Sequence, residues 1–246
     1  SPLRGFMDGE KVESVLTRNQ LPDKTVWTMP ILLPIGVEDA DRLDSSEPVL
    51  LMDADGVPRA MVESAHSYRL DLEHLVQRWY GTRSLDHPGV AEVLGGSGWF
   101  LAGDVALFAR LPSFYRQYEL TPAQARYVFT YKGWSRVVGF HTRNVIHRAH
   151  EYVILSALKT SKADGLLLSP VLGPKKPGDF LSEPIVKSYQ TMLDTGLLPT
   201  DRAVLGSLMT YPRYAGPREA VFTALCRKNM GCSHFIVGRD HTGVGS

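Results

Sequence analysis

From Thr121 onward the sequence alternates short apolar runs with segments of helical period, and no other feature limits the possible folds so closely. Val137 to Phe140 reads as a buried strand. A helix is expected from about Val145 to Leu158, because the apolar positions 145, 149, 152, 153 and 157 follow helical spacing. Leu166 to Val171 is the next expected strand, followed by a helix from near Pro184 to Leu193 and a third strand at Ala203 to Gly206. A further helix opens on Pro217, carries Arg227 and Lys228 in its final turn and stops at Gly231, residue types that favour a helix start and stop. His234 to Val237 is the fourth strand. Such alternation demands right-handed crossovers and a parallel sheet, with ligand loops at the carboxyl ends of its strands.

Up to about Gly103 the texture differs. The run T-V-W-T-M-P-I-L-L-P-I at 25–35 is β-like, and P-V-L-L-M followed by an Asp-Ala-Asp-Gly turn at 53–56 and V-P-R-A-M-V predicts a hairpin. One helix, Asp71 to Tyr80, is expected to interrupt these strands. Asp53 and Asp55 read as turn formers, since further calcium ligands do not fall at the needed spacing. The fold class is therefore α/β, with a β-rich domain over 1–112 and a parallel-sheet domain over 113–246.

With 43% of its 246 residues hydrophobic, the chain can build one large core or two modest ones. Its net charge of +1 removes the broad positive surface of a general nucleic-acid binder, so cationic chemistry has to be concentrated locally. Cys226 and Cys232 lack a second pair to complete a zinc site and read as reduced core thiols. No apolar run approaches the ~18 residues of a membrane span, and Ser1 to Glu10 lacks a signal-peptide core. Cytoplasm is the expected location.

Two loops hold the concentrated chemistry. H-T-R-N, His141 to Asn144, and G-R-D-H, Gly238 to His241, each follow an expected strand, so two cationic clusters would face one crevice and share an anionic ligand. The first also feeds a helix amino terminus, where free backbone N–H groups favour phosphate. His147 and His150, three apart, would be neighbours on one helix face, and imidazoles there can donate to a phosphoryl group as charge builds on it. Arg143 offers a permanent fork of donors for oxyanions. A paired histidine face is equally compatible with a solvated surface or with two ligands of a metal that needs a third group. Thr142 and Asn144 are ordinary capping types, Lys175 and Lys176 read as solvated, and Arg218 reads as a helix-packing residue.

The run T-R-N-V-I-H-R-A-H-E, together with P-V-L-G-P-K-K-P-G-D at 170–179, A-G-P-R-E-A at 215–220 and R-K-N-M-G-C-S-H-F-I-V-G-R-D-H at 227–241, closely resembles the ATP sulfurylase (sulfate adenylyltransferase) family. S-P-L-R-G-F-M at the start, D-H-P-G-V at 86–90 and L-T-P-A-Q-A-R at 120–126 resemble it as well. The resemblance implies a PUA-like amino-terminal domain and a Rossmann-like nucleotidyltransferase domain with an H-x-x-H signature. By it, Thr142, Arg143, Asn144, His147 and His150 would be catalytic. His141, Arg143 and Thr242 would meet sulfate. Nucleotide would be lined by residues 141–144, His147, His150, Gly238, Arg239, Asp240 and His241. The implied reaction is in-line attack of a sulfate oxygen on the α-phosphorus of MgATP, giving adenylyl sulfate and pyrophosphate, with Mg2+ carried on the phosphates and no protein metal ligand. The family likeness also implies a homo-oligomer without nucleic-acid or membrane partners. The sequence departs from the family where glutamine is usual and His141 stands, and where a small alanine is usual and Thr242 stands. It ends just past G-R-D-H and lacks residues ahead of Ser1, so truncation at both ends is expected. Rival readings are a nucleotidyltransferase with another acceptor, a non-catalytic nucleotide or adenylyl sulfate binder, and an RNA-binding role for the PUA-like part.

Overall fold

The computed structural model describes residues 2–43, 47–174, 178–239 and 241–243. Strands and helices are numbered in chain order. They fall into two compact units, Ser1–Ser113 with Arg213–Phe222 and Thr242–Ser246, and Phe114–Pro212 with Thr223–His241.

The first unit contains β1 (Gly5–Phe6), α1 (Gly9–Arg18), β2 (Leu33–Ile35), α2 (Val37–Arg42), β3 (Val49–Met52), β4 (Pro58–Arg69), α3 (Leu72–Tyr80), α4 (Pro88–Leu94) and β5 (Trp99–Leu107). Its sheet is antiparallel in the order β1-β5-β4-β3, with β2 also on β5. The hairpin expected around Asp53 is present as β3 and β4. Asp53 Oδ1 accepts from the backbone N–H groups of Asp55 and Val57, while its Oδ2 accepts from Arg59 Nε at 2.7 Å. The turn reading of this aspartate therefore holds. The β4–β5 register shifts between Glu63 and His66, opposite Gly103 at φ +148°. A Cβ on Gly103 would lie 2.6 Å from the Glu63 carbonyl, so the bulge requires glycine.

Two expectations for this unit need correction. Only Leu33–Ile35 of the 25–35 run forms a strand. Pro30 cannot donate to a ladder, and Trp27 instead closes a local loop by donating from Nε1 to the Met29 carbonyl at 2.7 Å. The unit also holds α1, α2 and α4 besides the one helix expected. Each is short and set by its ends: Asp8 accepts from Lys11 N to cap α1, and His87 precedes Pro88 at the first turn of α4. Arg218 supports packing as expected, donating to the Val15 and Leu16 carbonyls at the end of α1 and to Asn19.

The second unit contains α5 (Pro122–Tyr131), β6 (Val137–Phe140), α6 (Arg148–Ser161), β7 (Gly165–Leu168), α7 (Ser182–Asp194), β8 (Ala203–Leu205), the carboxyl half of α8 (Pro217–Asn229) and β9 (His234–Phe235). The four strands are parallel in the order β8-β7-β6-β9. Thr121 and Gln124 form a reciprocal capping box at the start of α5. Val137–Phe140 and Gly165–Leu168 are buried throughout, as strands covered on both faces must be. Their alternation sorts the core. Val138, Phe140, Leu166 and Leu168 pack with Ile154, Leu158, Ile185 and Tyr189 of α6 and α7, whereas Val137 and Leu167 pack with Ala125 and Phe129 of α5 and with Met230. Expected strands ending at Val171, Gly206 and Val237 stop earlier, at Leu168, Leu205 and Phe235. The helix expected from Val145 begins at Arg148.

From β6 the chain builds outward through β7 to β8, then returns to place β9 on the other side of β6. The direction of winding thus reverses between β6 and β9, which opens a crevice beyond their carboxyl ends.

Candidate functional site

The loop leaving β6 is held on both flanks. Ser169 N donates to the Phe140 carbonyl at 2.8 Å and Val171 N to the Thr142 carbonyl at 3.0 Å, so residues 140–142 stay strapped to the chain beyond β7. Thr142 Oγ1 accepts from Asn144 N at 3.1 Å, a tight turn that presents Arg143 at its apex. Ile146 is drawn into the core and its N–H donates to Ser188 Oγ of α7 at 3.1 Å. That anchor competes with helical geometry. It leaves His147 in an extended conformation (φ −146°, ψ 176°) as the cap of α6, which explains the later helix start.

His147 and His150 are nonetheless neighbours. Their rings stack with centroids 3.9 Å apart, and the His150 ring also tilts against Phe140 at 5.4 Å. His147 is exposed and His150 half-buried. Burial, then the adjacent His147, lowers the pKa of His150. Two rings in this contact cannot both be cationic cheaply. The Nδ1 of His150 is buried without a hydrogen-bond partner. Among the described residues no group of three or more His, Cys, Asp or Glu side chains converges as a metal site.

Behind the loop, His141 is buried, and its Nδ1 lies 2.5 Å from Nη2 of Arg227. The same Nη2 donates to Ser169 Oγ at 2.9 Å. Arg227 runs under β6 because Gly139 has no side chain; a Cβ there would lie 3.1 Å from Arg227 Cγ and 3.2 Å from Cys232 Sγ. Burial pulls the Arg227 pKa down to about 10, and pushes the Cys232 thiol up to about 12. Neither cysteine forms a disulfide among the described residues.

From the loop after β9, His241 stacks against His141 with centroids 5.5 Å apart, and Phe235 meets it edge-on at 5.8 Å. Its Nε2 is hydrogen-bonded to Thr223 Oγ1 at 2.8 Å. Burial first, then the charges of Arg227 and Arg143, hold its pKa down to about 4. Arg143 itself has Nε 3.9 Å from Asp179 Oδ1. The structure thus brings together His141, Arg143 and His241 from two separate strand-end loops, with the stacked His147 and His150 at the end of the first loop. Gly238 and Arg239 are exposed. Asp240, Lys175 and Lys176 lie outside the described residues.

Thr242 belongs to the other unit, where it occupies the left-handed region at φ +52°. A β-branched residue rarely sits there. Its side chain hydrogen-bonds to Glu219, a buried carboxylate that also accepts from the N–H groups of Arg213 and Ala215. Burial raises the pKa of Glu219 and these bonds oppose the rise.

Several contributors escaped sequence reasoning. Arg227 reads as an ordinary basic residue in a last helical turn, and its burial is visible in the fold alone. Asp179, Ser169 and Thr223 lie on other elements with no spacing signal toward the loops they meet. Asp179 ends a quoted motif, which was the available hint.

Comparison with known proteins divides the chain once, between residues 110 and 116. The ATP-sulfurylase family model matches residues 116–246, and that of the PUA-like domain matches residues 1–110. All of the chain aligns with the sulfate adenylyltransferases of Symbiobacterium thermophilum (42% identical), Halothermothrix orenii (44%) and Pyrococcus abyssi (41%). It spans 62%, 64% and 63% of their respective lengths. A solved structure, the hexameric APS kinase from Thiobacillus denitrificans, superposes with a TM-score of 0.78 at 26% identity, over 98% of this chain and 43% of that one.

Proposed function

The chain belongs to the ATP sulfurylase family, and from that premise we propose that it serves adenylyl transfer between MgATP and inorganic sulfate, forming adenylyl sulfate and pyrophosphate or running the reverse. The observation that carries this reading is the strand order, which sets β9 beside β6 so that His141 and His241 meet within 5.5 Å. Two loops rich in anion donors then serve one ligand.

A sulfate oxygen attacks the α-phosphorus, a new P–O bond forms, and the bond to the bridging oxygen of pyrophosphate breaks. No proton needs to be removed from the nucleophile, so the protein's task is to hold two mutually repelling anions in line and stabilise the charge that gathers on phosphorus and leaving group. Arg143 spans both anions with its fork of donors. His147 and His150 donate to the phosphoryl centre and departing pyrophosphate. Thr142 and Asn144 shape the turn that aims Arg143. Gly238, Arg239, Asp240 and His241 serve the nucleotide side. Mg2+ enters on the nucleotide phosphates, as part of the substrate. We place the protein in the cytoplasm, and the hexameric structural relative favours self-association.

The test is pyrophosphate release from MgATP, with and without sulfate, in a protein of the relatives' full length. Release that requires sulfate supports the reading. Release indifferent to sulfate and molybdate but driven by an organic phosphate acceptor would favour a different nucleotidyltransferase, and tight nucleotide binding without turnover a non-catalytic binder.

A further inference from the structure

Arg227 is the largest fully buried side chain of the chain's described core, at 0% exposure. Among the described residues its Nε and Nη1 have no hydrogen-bond partner and no carboxylate acts on it; its neighbours there are the thiols of Cys226 and Cys232. A guanidinium so placed costs folding energy. We propose that Arg227 is a positioning residue: its Nη2 donates to Nδ1 of His141 and so holds that ring as a neutral imidazole with its proton on Nε2.

The argument rests on donor chemistry. Guanidinium has five N–H donors and no acceptor, so a nitrogen 2.5 Å from Nη2 must present a lone pair. The proton of His141 is therefore on Nε2. Protonating Nδ1 would break this bond and set two buried cations side by side. The groups facing this ring add to the same bias: Arg227 from α8, and His241 from the loop after β9, itself under the charges of Arg227 and Arg143. Cys226 and Cys232 flank the guanidinium. Strapping is completed by Ser169, which accepts from the same Nη2 and ties the arginine to the end of β7.

The inference deepens the proposed function, on which it rests for the identity of the anion. His141 contributes a neutral, directed N–H, while attraction for a dianion comes from guanidinium charge that does not vary with pH. A glutamine in its place would answer the same two demands, with a carbonyl oxygen to accept from Arg227 and an amide N–H to donate.

Nitrogen-15 chemical shifts of the histidine rings in the 246-residue chain, assigned with His141→Gln, test the tautomer without any substrate. His141 is expected to show a bare Nδ1 and a protonated Nε2 from about pH 8 to about pH 5.5. In Arg227→Met, a swap of similar volume that removes a buried charge and should fold, the ring is expected to pick up a second proton in that range. In the full-length enzyme this variant should raise the sulfate KM about tenfold at pH 8, about 1.4 kcal/mol, while the ATP KM stays within about twofold. Part of the loss should return on acidification. His141→Leu should lose as much as Arg227→Met. A wild-type ring protonated on Nδ1, or doubly protonated by about pH 6, overturns the assignment whatever the enzyme does with sulfate. So does an Arg227→Met protein with unchanged tautomer and sulfate KM. Loss of sulfate-dependent turnover in the wild type, with the tautomer as expected, overturns the proposed function instead.

Discussion

His147 and His150 stand three apart in sequence, but the contact between them owes more to the anchor at Ile146 than to helical repeat. Ser188 fixes the Ile146 N–H, His147 stays outside α6, and the two rings stack at 3.9 Å. If the pair acts on charge that develops at phosphorus, His147→Ala or His150→Ala will lower kcat by about a hundredfold to a thousandfold and leave the ATP KM within about threefold. Equal losses in rate and affinity would instead assign the pair to ground-state binding. Arg143→Lys keeps the charge but not the planar fork, so it is expected to raise the KM for both sulfate and ATP by about tenfold or more. An unchanged sulfate KM contradicts its assignment. These residues were legible because their chemistry is written in adjacent letters. Arg227 was not. In the string it is a cation where helices favour one, and its path to His141 runs close beside Gly139, where a Cβ would crowd it at 3.1 Å.

Legibility at the level of elements follows the same logic. The four parallel strands and the helices between them could be read from periodicity, since each must be buried on both faces or along one stripe. Their ends could not, because Thr142, Ile146 and Val171 are claimed by bonds to distant segments. Short capped helices such as α1 and α4 have too few turns to show a period. One junction of the sheet rests on a single carboxylate. Asp164, just before β7, accepts on Oδ2 from Ser135 N, Ser135 Oγ and Arg136 N, all at 2.8 Å, and so aligns the entrances of β6 and β7. Those bonds, chiefly to the Arg136 and Ser135 backbone, pull its pKa down to about 2. A lowered carboxylate pKa gives stability that is full above its ordinary value near 3.8 and is lost as pH falls toward about 2. Asp164→Asn should therefore lower Tm at pH 7, and the difference from wild type should shrink as both are compared at pH 3 and below. A constant difference down to that pH would mean the contact is steric.

For the whole molecule, the two buried-histidine environments predict an acid limb that begins well above the carboxylate range. An unfolded histidine titrates near 6.5, whereas His241 in the folded protein does so at about 4 and His150 is displaced in the same direction. Between those values the unfolded chain binds protons that the folded chain refuses, so stability falls as pH drops from about 6.5 toward 4 and flattens below. For His241 the loss is on the order of 2 kcal/mol after allowing for its partial exposure. Glu219 works with the opposite sign. Its raised pKa means that the folded state holds a proton longer than the unfolded one, so its contribution is fully present below the ordinary value of 4.5 and is lost as pH rises through the folded value. That window opens upward from 4.5, inside the histidine window, so Glu219 subtracts from the histidine slope, and comparing the parent with His241→Gln isolates the histidine share. Urea midpoints of the parent at pH 7, 6, 5 and 4.5 should accordingly decline, and His241→Gln, which keeps a hydrogen-bonding side chain beside Thr223 but cannot titrate, should flatten the slope. Because the chain comprises two units, the midpoint should be followed by a probe in the parallel-sheet unit, such as Trp134 fluorescence. A parent whose midpoint is level down to pH 5, or a His241→Gln variant that keeps the full slope, would show that the crevice between β6 and β9 leaves His241 wet, and with it the neutral floor on which the anion reading depends.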